Sequence, residues 1–154
     1  MTFSHLSKIL AAGMALLVLA GCSGPQVRVD MTSTANLNTS EKGEPLPVVV
    51  RVYQLEDARD FRNATFKALW KQDMRTLGDA ALTRDELVLK PGHDHEIELN
   101  RKGQARYVGV MAVFRDPQEE GWRDVVPLPD GYVGRRMDQR VVVQLRGNSL
   151  EIEE

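Results

Sequence analysis

Cysteine occurs only once in this chain, at position 22. A single thiol excludes an internal disulfide, and in an oxidising compartment an unpaired surface thiol is a liability. Aromatic residues make up only 6% of the sequence, and histidine occurs three times. His5 lies near the amino terminus, so a histidine-based centre has only His93 and His95 to draw on. The uncharged run over residues 9–20 is shorter than the ~20 apolar residues a membrane-spanning helix needs. A formal net charge of −2 gives no global attraction for nucleic acid or anionic headgroups. No internal repeat or low-complexity block stands out, and the length suits one domain rather than two.

What is present starts at the amino terminus. Lys8 precedes the apolar run, and small residues follow it, which is the layout of a secretory signal peptide over residues 1–21. Leu19-Ala20-Gly21-Cys22 resembles the bacterial lipobox, in which the cysteine is lipidated and cleavage falls just before it. Lipidation turns the lone thiol into a thioether and makes Cys22 an anchor. Ser23 follows where an aspartate would signal inner-membrane retention in enterobacteria, so the expected destination is the outer membrane. Residues 22–26 are then a short lipidated tether, which at no more than about 3.5 Å per residue keeps the domain against the bilayer.

The expected domain spans residues 27–147. Val27, Val29 and Met31 alternate with Arg28, Asp30 and Thr32, the pattern of a half-buried strand. Residues 33–47 are rich in Thr, Ser, Asn, Gly, Glu and Pro and read as a long polar loop with few apolar residues to fix it. Residues 48–55 are apolar on both faces, as in a central covered strand. The period then changes over residues 57–78. Phe66, Leu69, Trp70, Met74 and Leu77 recur at helical spacing, with Asp60 and Asn63 as caps, a break near residues 63–65 and Gly78 as the stop. Phe61, Phe66 and Trp70 read as core aromatics rather than a ligand cage. Further strands follow at residues 87–89, 96–99, 106–115, 125–128 and 140–146, and residues 148–154 read as a flexible tail. Short strands punctuated by turns define a mainly β protein, an antiparallel β-sandwich with a short helical insertion after the second strand.

Chemistry is hard to place on this frame. His93 and His95 would share one face of a strand and could offer two imidazoles to a metal, but no third ligand is flagged. Gly-x-Ser-x-Gly is absent, and the pairs Asp57 with Asp60 and Glu119 with Glu120 fall on expected solvated surfaces. Residues 131–134 lack the lysine of a phosphate loop. The expectation is a protein without a catalytic or metal site.

Four stretches taken in order resemble one family. They are Val50-Arg51-Val52-Tyr53-Gln54-Leu55 with Phe61, Phe66, Leu69 and Trp70; Leu89-Lys90-Pro91-Gly92; the strand from Tyr107 to Asp116 with Gly109 and Phe114; and Trp122-Arg123. Following a lipobox, they resemble the outer-membrane lipoprotein of the type VI secretion system, the TssJ (SciN/VasD-like) family. The resemblance implies a transthyretin-like antiparallel β-sandwich, with diacylglycerol and an N-acyl chain on Cys22 and no other cofactor. It implies a scaffold at the inner leaflet of the outer membrane, with the domain in the periplasm. The implied partner is the periplasmic C-terminal region of TssM, together with other type VI membrane-complex subunits.

In that family the loop between the first two strands contributes to the TssM contact. Here the corresponding residues are Asn36, Leu37, Asn38, Thr39 and Ser40, then Glu41, Lys42, Gly43, Glu44 and Leu46. Leu37 and Leu46 are the candidate apolar anchors, with Glu41, Lys42 and Glu44 as rim charges. Two other readings compete: a periplasmic lipoprotein chaperone or pilotin for another envelope assembly, and a metal-dependent hydrolase using His93 and His95.

Overall fold

Alternating valines build the first strand, as their period requires. β1 (Gln26–Ser33) buries Val27, Val29 and Met31 and turns its polar residues outward. The computed structural model describes residues 24–153. The signal peptide and Cys22 lie outside the described residues.

The remaining elements are β2 (Val48–Leu55), α1 (Arg59–Asn63), α2 (Phe66–Leu77), a 3-10 turn (Gly78–Ala80), β3 (Ala81–Leu89), β4 (Asp94–Asn100), β5 (Tyr107–Ala112), β6 (Arg123–Pro127), α3 (Gly131–Gly134), β7 (Gln139–Arg146) and β8 (Ser149–Glu153). One sheet has the order β4-β1-β7-β8 and the other β3-β2-β5-β6. Every pair is antiparallel except β1 with β7, which run parallel. The protein is thus a mainly β, antiparallel-rich sandwich with one parallel seam.

Register aligns the apolar rows. Val29 lies opposite Ile97 on one side and Val141 on the other, and Met31 lies opposite Val143. These side chains share a single core with Val48, Val50, Val52, Val108 and Val110 of the other sheet. Gln54 continues the inner row of β2 and stitches the sheets together. Its Nε2 donates to Asn100 O at 3.0 Å, and its Oε1 accepts from Lys102 N at 2.8 Å.

The second face of β2 meets the helical insertion, giving a third layer. Tyr53 and Phe61 are buried with ring centroids 5.6 Å apart. A Cβ at Gly109 would stand 3.0 Å from the Phe61 ring, so glycine is what lets that ring approach β5. The break between α1 and α2 falls where expected, but the caps differ. Thr65, not Asn63, caps α2 by accepting from Ala68 N at 3.2 Å, and α1 starts at Ala58 without a side-chain cap.

Trp70 and Met74, expected in the core, are 42% and 43% exposed. α2 is kinked at Gln72 (φ −147°, ψ 42°), and the row it turns inward is Leu69, Asp73 and Leu77, with Asp73 rather than an apolar residue at its middle. Arg51 on β2 compensates the interrupted ladder. Its Nη1 donates to the carbonyls of Leu69 and Trp70 at 3.0 and 3.1 Å and lies 3.3 Å from Asp73.

The flexible tail expected after residue 147 is also corrected. Residues Ser149–Glu153 pair with β7 as strand β8, with Leu150 and Ile152 buried. Leu150 and Ile152 alternate with Glu151 and Glu153, and Gly147 (φ 57°) with Asn148 makes the tight turn.

Candidate functional site

Strand direction sorts the loops into two ends. β1 enters from Gly24 and Pro25 and leaves into residues 34–47, so the tether and the candidate partner loop occupy opposite ends of the sandwich. Residues 90–93, 113–122 and 147–148 lie at the same end as that loop.

The loop divides into a buried base and an exposed tip. Leu37 is fully buried in the core cluster, and Asn38 is nearly so. As an apolar anchor offered to a partner, Leu37 is therefore corrected: it anchors the loop to its own domain. Asn38 adopts a left-handed conformation (φ 48°), which its short amide tolerates. Its N–H donates to Gly147 O at 2.8 Å, its Nδ2 donates to Pro47 O at 2.9 Å, and its Oδ1 accepts from Arg115 N at 2.8 Å. Leu46, half-buried, returns to Leu37 O through its own N–H at 3.0 Å.

Asn36 is exposed at the edge of the base, while Thr39 and Ser40 are half-buried. Ser40 Oγ accepts from the N–H groups of Lys42 and Glu44, both at 3.2 Å, and Gly43 takes φ 80° to complete the turn. Glu41, Lys42, Gly43 and Glu44 are exposed, with Arg115 3.5 Å from Glu41. What looked like an unfixed polar loop is an ordered one. The residues missed from sequence are Thr34, which donates to Leu145 O at 3.0 Å, and Arg115. Neither carries a periodic signal.

The other candidates do not converge. His93 Nδ1 is 2.8 Å from Pro91 O in the β3–β4 turn, and exposed His95 sits opposite Met31 on β4. Among the described residues no group of three or more His, Cys, Asp or Glu is placed to hold a metal. Asp57 pairs with Arg59 at 2.8 Å, and that hydrogen bond holds its carboxyl below the usual range.

Among the described residues one buried charge cluster stands out, and it serves the fold. Asp73 accepts from Tyr53 Oη at 2.8 Å and lies within 3.3 Å of Arg51 and 3.2 Å of Arg84. Burial alone would raise the Asp73 pKa, but the Tyr53 hydroxyl, the Met74 N–H and the two guanidinia outweigh it and hold the carboxyl low. Burial, then Asp73, pushes the Tyr53 phenol well above its ordinary value.

Each recognised stretch finds a packing role. Arg51 and Tyr53 hold α2, Gly109 admits Phe61, and Gly92 (φ 67°) donates to Thr34 O at 3.1 Å. Trp122 packs edge-on to Phe66 at 5.1 Å, and Arg123 donates to the carbonyls of Arg62 and Ala64 at the helix break.

Fold and site together define a mainly β sandwich of two four-stranded, antiparallel-rich sheets with an ordered polar loop at one end. The T6SS-SciN family model, described as type VI secretion lipoprotein, VasD, EvfM and TssJ, matches residues 25–148. The chain belongs to this family of type VI secretion lipoproteins. It is similar to the T6SS lipoprotein TssJ1 from Pseudomonas aeruginosa at 28% identity, covering 84% of this chain and 95% of that one with a TM-score of 0.75. Serratia marcescens Lip, a membrane-bound component of the type VI secretion system, shares the fold at 21% identity and a TM-score of 0.77, covering 85% of this chain and 97% of that one. A chain in the structure described as the T6SS protein TssM C-terminal domain (869–1107) from EAEC is 27% identical with a TM-score of 0.70, covering 84% and 98%. No curated protein matches by sequence.

Proposed function

We propose that this lipoprotein fixes a type VI secretion membrane complex to the outer membrane by binding the periplasmic C-terminal region of TssM. Cys22 carries the diacylglycerol and N-acyl chains in the inner leaflet, and the sandwich stands in the periplasm. The observation that carries this reading is the opposition of the two ends: the tether precedes β1 and the loop follows it. Eight strand residues at about 3.3 Å each separate the two by roughly 26 Å. Leu37 and Asn38 set the shape of the loop, while Glu41, Lys42, Gly43 and Glu44 meet the partner, with Leu46 and Asn36 at the margin. Similarity to a chain in the structure described as the TssM C-terminal domain supports that choice of partner.

The test is co-purification with a TssM periplasmic fragment. A combined Glu41→Ala, Lys42→Ala and Glu44→Ala variant should bind at least about tenfold more weakly, a loss of about 1.4 kcal/mol, with its thermal melt unchanged. Undiminished capture by that variant moves the contact elsewhere.

A further inference from the structure

The tether end of the sandwich carries a second long connection, residues 128–138 between β6 and β7, which the docking function leaves unused. Three of its side chains stand out in water: Tyr132 is 75% exposed, Val133 68% and Met137 55%. They do not belong to a loose loop. Arg101 reaches under the connection from the β4–β5 segment, donating to Gly134 O at 2.9 Å, Pro129 O at 2.7 Å and Ala105 O at 3.2 Å. This guanidinium is largely buried and has no ion pair among the described residues. Asp130 caps α3 by accepting from Gly131 N at 2.7 Å and pairs with Arg135 at 2.5 Å. A buried cation spent on three backbone carbonyls makes a firm support for exposed apolar groups, and such groups held clear of the body call for a cover.

Position says what covers them. Arg101 N donates to Pro25 O at 2.9 Å, and Gln26 N donates to Asp138 Oδ1 at 2.8 Å, so the connection is hydrogen-bonded to the base of the tether. Cys22 lies three residues before Pro25, within roughly 10 Å along the chain. Charge agrees. Immediately around the connection, Lys102, Arg106, Arg135 and Arg136 are exposed beside the carboxylates Asp130, Asp138 and Glu153, four cations to three anions, although the whole chain is slightly acidic. The Arg136 guanidinium lies 3.9 Å from the centre of the Tyr132 ring, an apolar body with cationic and hydroxyl tips.

We propose that the β6–β7 connection is a membrane seat. Tyr132, Val133 and Met137 enter the boundary between headgroups and acyl chains, and the surrounding cations meet lipid phosphates. The inference rests on the lipid anchor proposed above. The lipid on Cys22 supplies retention, and the seat supplies orientation, directing residues 34–47 away from the bilayer.

The lipidated thiol makes the test clean, because an introduced cysteine is then the sole free one. Val133→Cys, Met137→Cys and Glu44→Cys, each spin-labelled in the mature lipoprotein, are reconstituted in vesicles of phosphatidylethanolamine with phosphatidylglycerol as the minor lipid. Labels at 133 and 137 should lose collisions with a water-soluble nickel chelate and gain them with oxygen, at a depth of about 5–10 Å. The label at 44 should remain open to the chelate. Labels at 133 and 137 as accessible as that at 44, on protein whose Cys22 lipid is confirmed by mass, overturn the seat but leave the anchor standing. Shielding that arises only when a TssM fragment is added assigns the face to a protein and also overturns it. A mass spectrum without lipid on Cys22 overturns the anchor itself and the seat with it.

Discussion

Two long connections at opposite ends of the sandwich present opposite chemistry to the outside. Residues 34–47 drop an apolar side chain, Leu37, into the core and present charged Glu41, Lys42 and Glu44 outside. Residues 128–138 receive a charged side chain, Arg101, from beneath and present apolar Tyr132, Val133 and Met137 outside. The inversion teaches that the outer chemistry of a loop is independent of how its base is held. Its inner support is whatever the neighbouring element can supply.

Substitutions at three positions probe this contrast. Leu37→Ala removes a fully buried side chain and should cost about 3 kcal/mol of unfolding free energy, read by urea denaturation. A loss well under half of that would mean the base is not held by the core. Arg101→Gln leaves carbonyls short of donors and should cost roughly 2 kcal/mol, with Arg101→Lys recovering only part because an ammonium lacks the guanidinium fork. Full recovery by lysine would show that charge, not the fork, supports the loop. Arg115→Ala removes only the 3.5 Å pair with Glu41, since Asn38 binds the backbone N–H of Arg115, and the melt should shift by less than about 0.5 kcal/mol. A larger effect would place some of the support at the charged tip.

Much of the sandwich was legible because valines at period two leave few alternatives, and the β2 row apolar on both faces correctly announced a covered central strand. The helix break near Ala64 was legible too. The exposure of Trp70 and Met74 was not, because the middle of the inner row is taken by a charged residue, Asp73, whose partners Arg51, Tyr53 and Arg84 come from the sheet across the layer. β8 was overlooked although its alternation was there, since glutamates on one side of a short terminal run resemble a frayed tail. In the loop, a single leucine in a polar stretch carries no period, so the inward turn of Leu37 could only come from the fold. Arg101 is the hardest case. Its partners are carbonyls, which every residue has, brought to it by a segment distant in sequence.

The pairing of β1 carries one more consequence. It is an interior strand, laddered to β4 from Gln26 to Thr32 and to β7 from Val27 to Ser33. In the function proposed above, the membrane holds it at one end and the docking loop follows from the other. In that arrangement a pull between the two ends runs along the covalent backbone of β1, which the ladders on both flanks keep extended. An edge strand pulled sideways would surrender its bonds one by one, like a zip. Here the polypeptide between the two handles is already drawn out and held straight on both flanks, a tendon with almost no slack to give.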